Sequence, residues 1–342
     1  MDAVKIIEPG PLTTIQDTGR KGYQRYGMPV AGAMDLFSYR VANLLAGNDD
    51  NAAALEFTLQ GPKMEFLHNA VIAITGAETI PIIDNKPAPL WQTIFVKKGS
   101  VLSFNGIKSG LRGYVAIRGG VEVPNVLESG STYLRANIGG IEGRKLTSKD
   151  IIPMGDSIEG YPGNPQPYIL PKDFIPRFND TEEIRVILGP QEDLFKKESI
   201  KTFLNSEYTV TTQSDRMGYR LEGPTIRHKE SPDIISDGIP LGGIQVPGHG
   251  QPIIMLADRQ TTGGYTKIAT VISTDLNKIA QLAPGKKIKF KSVTLEEAHD
   301  ALRIQESIVN SIEKLPEAPS SKKILKLKIS GEEFLVTIEP ID

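Results

Sequence analysis

Short stretches rich in Val, Ile, Phe and Tyr recur along this chain, and Gly, Pro or Asn closes nearly every one of them. Residues 71–75, 94–96, 101–104 and 113–117 form one series, and 184–188, 208–212, 253–256, 268–272 and 287–290 form a second. Runs that short are the length of strands rather than of helices that bury a face, and their β-branched and aromatic content favours a pleated surface. With 33 glycines and 24 prolines in 342 residues, turns must be numerous. Few helical patterns interrupt either series. Barrels or sandwiches therefore fit better than a parallel sheet with crossover helices, and the expectation is a mainly β chain with a few short helices.

The helices that do show are well marked. Asp35 is placed to cap a segment running to about Ala46, with Phe37, Val41, Leu44 and Leu45 on one face and Gly47 as the stop. Asp275 precedes a second helical segment, residues 276–282. A third, over 294–313, opens on Thr294 with Glu297 completing a capping box, and Leu295, Ala298, Leu302, Ile308 and Ile312 would turn towards a core across a barrel. Between the two strand series, Pro162, Pro165, Pro167, Pro171 and Pro176 interrupt a stretch without apolar periodicity. The expected organisation is a β-rich unit over 1–159, a crossing segment over 160–183, a barrel unit over 184–315, and a tail over 324–342. In that tail Leu325, Leu327 and Ile329, then Phe334, Val336 and Ile338, alternate about Ser330-Gly331 as in a β-hairpin.

Composition excludes several kinds of function. A net charge of -2 with 23% charged residues, and no basic cluster interleaved with aromatics, argues against nucleic acid or a membrane surface as partner. The absence of cysteine rules out disulfides, thiolate catalysis and zinc–sulfur sites. His68, His228, His249 and His299 show no paired-ligand spacing, so no metal is expected. Neither a Gly-x-Ser-x-Gly elbow nor a phosphate-cradling Gly-x-x-x-x-Gly-Lys-Ser/Thr loop occurs. The first residues lack a basic start followed by a long apolar region, which makes a cytoplasmic location the expectation.

One stretch concentrates site chemistry. Asp258-Arg259-Gln260-Thr261-Thr262-Gly263-Gly264-Tyr265-Thr266-Lys267 follows the apolar run 253–256, so a buried strand would fix its position. Asp258 offers a carboxylate acceptor or base, Arg259 a guanidinium for an anion, Thr261 and Thr262 hydroxyls, and the two glycines amide donors. A plain turn, with Asp258 capping amides and Arg259 in a surface ion pair, has the same residues. A shorter relative, Ser214-Asp215-Arg216-Met217-Gly218-Tyr219-Arg220, repeats the Asp–Arg pairing, and a strand edge with a salt bridge and a packed tyrosine reads equally well there. Asp17, Arg20 and Tyr23 echo the pattern more faintly. Gly27-Met28-Pro29-Val30-Ala31-Gly32-Ala33 likewise echoes Gly238-Ile239-Pro240-Leu241-Gly242-Gly243-Ile244, in the same order along the chain.

Through residues 10–20, Ser129-Gly130-Ser131-Thr132-Tyr133-Leu134-Arg135, Gly189-Pro190-Gln191, 214–219 and 257–265, the chain resembles the KipA or allophanate-hydrolase-subunit-2-like proteins, a family associated with the C subunit of bacterial 5-oxoprolinase. The resemblance extends to about residue 305. It implies cyclophilin-like β-barrel subdomains and a place in a three-subunit enzyme that opens 5-oxoproline to glutamate at the expense of ATP. The implied partners are one KipI-like subunit, one LamB/YcsF-like subunit, ATP bound with or by them, and a lactam as substrate. On this footing Asp258, Arg259 and Thr261 are the candidate catalytic group, and Gln260, Thr262, Gly263, Gly264, Tyr265, Lys267, Asp215, Arg216 and Tyr219 the candidate substrate-binding group. Related sequences form the carboxyltransferase part of urea carboxylase. Biotin enters only under that alternative, on another polypeptide, because no Met-Lys-Met-like segment is present. A third reading, a regulator that antagonises a KipI-type kinase inhibitor without catalysis, also stays open.

Overall fold

The computed structural model describes residues 2–155, 168–312, 323–329 and 332–338, the last two stretches as strand backbone. Two long strands, β5 and β8, organise the first half. The strands there are β1 (Asp2–Glu8), β2 (Leu12–Gln16), β3 (Ala54–Thr58), β4 (Lys63–Phe66), β5 (Ala70–Ile83), β6 (Lys86–Pro87), β7 (Thr93–Val96), β8 (Val101–Ile117) and β9 (Ile151–Pro153), joined in one nine-stranded sheet. The runs 101–104 and 113–117, separate in the sequence, are the two ends of β8. It pairs antiparallel with β5 from Ile72 opposite Ile117 to Ile83 opposite Leu102, with register shifts between Gly76 and Pro81. Bulges of this kind raise twist and bend a sheet, which curls this one without closing it. Gly113 has no room for a side chain: a Cβ there would sit 2.1 Å from the Phe57 ring.

Helix α1 (Leu36–Ala46) lies on this sheet against β5 and β8. Its N-cap Asp35 accepts from the Ser38 amide, and Gly47 ends it in the left-handed region at φ 81°, as the sequence signals require. Nearly the whole helix is buried, because the other side is covered too, by Trp91, Leu170, Val309 and Ile312.

The second half closes into a barrel. Its strands are β10 (Thr181–Leu188), β11 (Glu207–Val210), β12 (Gly218–Glu222), β14 (Gly243–Gln245), β15 (Ile253–Met255), β17 (Lys267–Val271) and β18 (Lys287–Ser292), in the order β10-β17-β14-β15-β12-β11-β18. The parallel pair β10–β18 closes the ring, with Thr181 opposite Lys287 and Val186 opposite Ser292; every other pairing is antiparallel. Inward residues such as Ile184, Val186, Tyr208, Ile244, Ile254, Ile268 and Phe290 fill it, and Met34 from the first half packs into the same core. Strands β13 (Asp233–Gly238) and β16 (Thr262–Tyr265) stand apart as a two-stranded ribbon. In the tail, β19 (Lys323–Ile329) and β20 (Glu332–Ile338) pair antiparallel with each other, while the Ser330-Gly331 turn lies outside the described residues, as do residues 156–167 of the proline-rich stretch. The mainly β expectation holds. Among the described residues no helix is long and apolar enough to cross a membrane.

Three helical details differ from the sequence reading. Helix α2 (Lys197–Asn205) went unanticipated because only Ser199 and Phe203 of its nine residues are buried; Phe203 stacks on Phe290 at 4.4 Å. Helix α3 (Leu276–Ala280) is shorter than expected, and Asp275 spends its carboxylate on Arg185 rather than on the helix amides. Helix α4 (Leu295–Asn310) has the expected capping box, yet it does not cross the barrel. Leu295 is 59% exposed, and only the C-terminal end, from Ile308 to Ile312, meets the core beside α1. Its apolar spacing was too sparse to cover a whole face.

These placements set two stability expectations. Gly113→Ala should cost about 1–3 kcal/mol by overpacking against Phe57, whereas Thr294→Ala should cost only about 1 kcal/mol by loss of the cap. Urea unfolding of the two variants checks the ranking; a Gly113 variant as stable as the parent would contradict the β3–β8 register.

Candidate functional site

Where the two halves meet, a buried arginine holds two carboxylates. Arg216, in the turn before β12, donates from Nη1 to Glu56 Oε1 at 2.5 Å and, through Nε and Nη2, to the two oxygens of Asp258 at 3.1 and 3.0 Å. A further Nη2 bond of 2.6 Å reaches the Gly32 carbonyl. Glu56 comes from β3 of the first sheet, and its other oxygen accepts from the Met34 amide and the Tyr114 hydroxyl, both at 2.8 Å. All three charged groups are buried. Burial pulls the Arg216 pKa down, but Asp258 and Glu56 outweigh it and the net shift is upward, so the guanidinium stays a cation.

The same boundary carries a second set of ties. Arg112 of β8 donates to the Tyr219 hydroxyl at 2.7 Å and to the Ala280 carbonyl at 2.5 Å. Gln281 accepts from the Leu111 and Arg112 amides and donates to Asp35 and to the Arg112 carbonyl. The Ala31 amide donates to the Ala257 carbonyl at 3.1 Å.

Asp258 and Arg259, adjacent in sequence, were expected to face one ligand together. The fold turns them apart. Asp258 points to Arg216, while Arg259 donates from Nε to the Ile239 carbonyl at 2.9 Å and from Nη1 to the Leu256 carbonyl at 3.2 Å. Arg259 is 7% exposed and forms no ion pair among the described residues. Burial alone pulls its pKa down to about 10, which leaves it charged at neutral pH. It lines a cavity of about 360 Å³ with Gln24, Pro29, Val30, Gly238, Ile239, Pro240, Gln260 and Thr261. The two glycine-rich echoes noted in the sequence therefore meet here, as the Pro29 and Pro240 sides of one cavity.

The other candidates divide. Gln260 and Thr261 line the cavity. Thr262, Gly263, Gly264 and Tyr265 form β16, where Gly263 pairs with Asp237 and Thr262 with Gly238. A Cβ on Gly263 would lie 2.7 Å from Ile239 Cδ1, so that glycine admits neighbouring side chains and strand, not a ligand. Lys267 is 1% exposed and donates to Asp237 at 2.9 Å, a structural tie between barrel and ribbon. Asp215 accepts from the Met217 and Gly218 amides and closes a turn, its other oxygen 3.5 Å from Arg135. Tyr219 is 2% exposed, packs in the barrel core and accepts from Arg112 at its hydroxyl, and Arg216 is the buried hub just described.

Sequence reasoning missed Glu56, Arg112 and Gln281. Glu56 had a signal: a carboxylate inside the otherwise apolar Ala54–Thr58 strand needs a buried partner. Arg112, between Leu111 and Gly113, had the same one. Arg20, only a faint echo of the Asp–Arg pattern in the sequence, is fully buried and donates to the Val126 and Ser131 carbonyls, while Asp17 accepts from Ser129, Gly130 and Ser131.

Comparison with known proteins gives a consistent result. A family model for the carboxyltransferase domain, subdomain A and B, matches residues 26–292. The chain is 37% identical to the 5-oxoprolinase C subunit of Haemophilus influenzae, over 91% of this chain and 98% of that protein. Against the 5-oxoprolinase C subunit of Escherichia coli the identity is 38%, over 89% of this chain and 95% of the relative. The crystal structure of Kluyveromyces lactis urea carboxylase superposes with a TM-score of 0.85 at 32% identity over 99% of this chain, which corresponds to 32% of that longer protein.

The two arginines should respond differently to removal. Arg216→Met leaves two carboxylates buried without their cation and should cost about 3–5 kcal/mol. Arg259→Met removes a cation that has no carboxylate but takes the donor from the buried Ile239 carbonyl, and should cost about 1–2 kcal/mol. Urea midpoints of both variants check this, and equal losses would contradict the assignment of partners.

Proposed function

The chain belongs to the carboxyltransferase family of subdomains A and B, and on that premise we propose that it is one subunit of a larger enzyme that opens 5-oxoproline to glutamate with hydrolysis of ATP. The observation that carries this reading is the end-to-end match to two 5-oxoprolinase C subunits, in which little of either relative is left uncovered. The partners on this reading are the KipI-like and the LamB/YcsF-like subunits.

A lactam is an unreactive amide, and phosphorylating its oxygen makes that oxygen a leaving group and the ring carbon electrophilic. Holding a triphosphate takes several donors and cations. The Arg259 cavity offers one cation, and Lys267 nearby is spent on Asp237. These residues do not fit ATP, and we assign its binding to the partner subunits. The part left to this chain is to hold and orient the ligand at the cavity. Asp258 is then a positioning residue: by fixing Arg216 it fixes the turn from which Arg259 and Thr261 reach the cavity. A proton-transfer role would require it to leave a buried two-bond ion pair.

The superposition on urea carboxylase favours one second reading, a carboxyltransferase component that works with a biotin carrier on another chain. Reconstitution of the full chain with its two neighbouring subunits separates them. We expect glutamate from 5-oxoproline and ATP only when all three are present, and no effect of avidin; avidin-sensitive carboxylation of urea without glutamate release would reject the first reading. In the same assay, Asp258→Asn should lower the melting temperature of the chain while reducing turnover less than tenfold. A loss of about 10²–10⁴-fold with the assembly intact would instead restore Asp258 as a general base.

A further inference from the structure

Among the described residues of the boundary region, Arg259 stands out as a buried cation with no carboxylate to accompany it. Burying a guanidinium disfavours its charged form unless an anion is close. Arg20 has Asp17 and Asp258 nearby, Arg112 has Glu56, Arg216 has Glu56 and Asp258, and Lys267 has Asp237. Arg259 has two main-chain carbonyls, and its remaining nitrogen, Nη2, makes no hydrogen bond among the described residues. Among the described residues no acidic side chain lines its cavity. The walls there are Pro29, Val30, Ile239 and Pro240, and the remaining polar groups are Gln24, Gln260 and Thr261, all neutral.

We propose that this cavity is a subsite for a small organic carboxylate, with Arg259 as its anchor. Its carbonyl bonds at Nε and Nη1 hold the guanidinium in place before any ligand arrives, which removes part of the ordering cost of binding. A single cation suits a monoanion. Inorganic phosphate, a mixture of mono- and dianion at neutral pH with oxygens on every side, would draw on more cations and donors than the cavity supplies. The proline and branched walls fit a compact apolar body, and the amide and hydroxyl groups of Gln24, Gln260 and Thr261 are placed to meet polar atoms on its rim. In this arrangement the ligand carboxylate supplies the counter-charge that the chain itself withholds.

The choice of 5-oxoproline as a probe rests on the functional reading; the subsite does not. Calorimetric titration of the full chain with 5-oxoproline, cyclopentanecarboxylate, 2-pyrrolidinone and inorganic phosphate, at constant ionic strength, tests both. The two carboxylates should bind, while 2-pyrrolidinone, which keeps the ring amide without the charge, and phosphate should bind at least about tenfold more weakly. Arg259→Met, shown to be folded by circular dichroism, should lose about ten- to a hundredfold in carboxylate affinity, and Arg259→Lys should lose less. Binding of cyclopentanecarboxylate but not of 5-oxoproline would keep the subsite and reject the functional reading. Failure of both carboxylates to bind the folded parent chain, equal binding of the neutral lactam, a preference for phosphate, or full affinity in Arg259→Met would each overturn the subsite.

Discussion

The bridge from Glu56 through Arg216 to Asp258 is the interaction on which the rest of the arrangement depends. A buried ion triad of this kind is not a source of large net stability, since desolvating three charges costs nearly what their attraction returns. What it supplies is registry. Glu56 is fixed by strand pairing in the first sheet, Asp258 follows a barrel strand, and the guanidinium fork satisfies both only when the halves sit in one relative position. The Gly32 carbonyl on Nη2 adds the loop that runs between them. Any slip would leave charge buried without a partner.

That constraint decides what the polar stretch after β15 can do. With Asp258 committed inward, the next residue points to the opposite side and reaches the cavity between the Pro29 and Pro240 loops. The cavity thus belongs to both halves, and its geometry is inherited from the bridge. The ribbon of β13 and β16 supplies one wall through Gly238, and the Lys267–Asp237 ion pair ties that ribbon back to the barrel. A ligand there meets a single cation and neutral groups, which suits positioning better than proton transfer.

Much of the fold was legible in the sequence. Alternation and glycine–proline punctuation located ten of the twenty described strands, and Asp35, Gly47 and the Thr294–Glu297 box located helix ends, because these signals are local. Long-range consequences were not. The run over 101–117 was read as two strands since nothing local says that glycines at 106 and 110 bend one strand instead of ending it. At the site, the concentration of polar groups over 258–267 was visible in the sequence, yet their partners were not. Asp258 and Arg259 look like a pair in one dimension, and only the location of Arg216 and Ile239 shows that they are not. Arg216 itself was singled out for a ligand, and its bonds to Glu56 and Asp258 across the boundary had no local signal.

If the bridge makes the halves interdependent, they should open together. Urea-dependent hydrogen exchange read on peptides covering β3 and β8 in the first sheet, and β15 and β17 in the barrel, measures this on the unmodified chain. Our account expects protection in both sets to be lost in one transition at the same urea concentration. Barrel peptides that exchange fully while β3 and β8 remain protected, or the reverse, would show that the halves stand without each other and would contradict it.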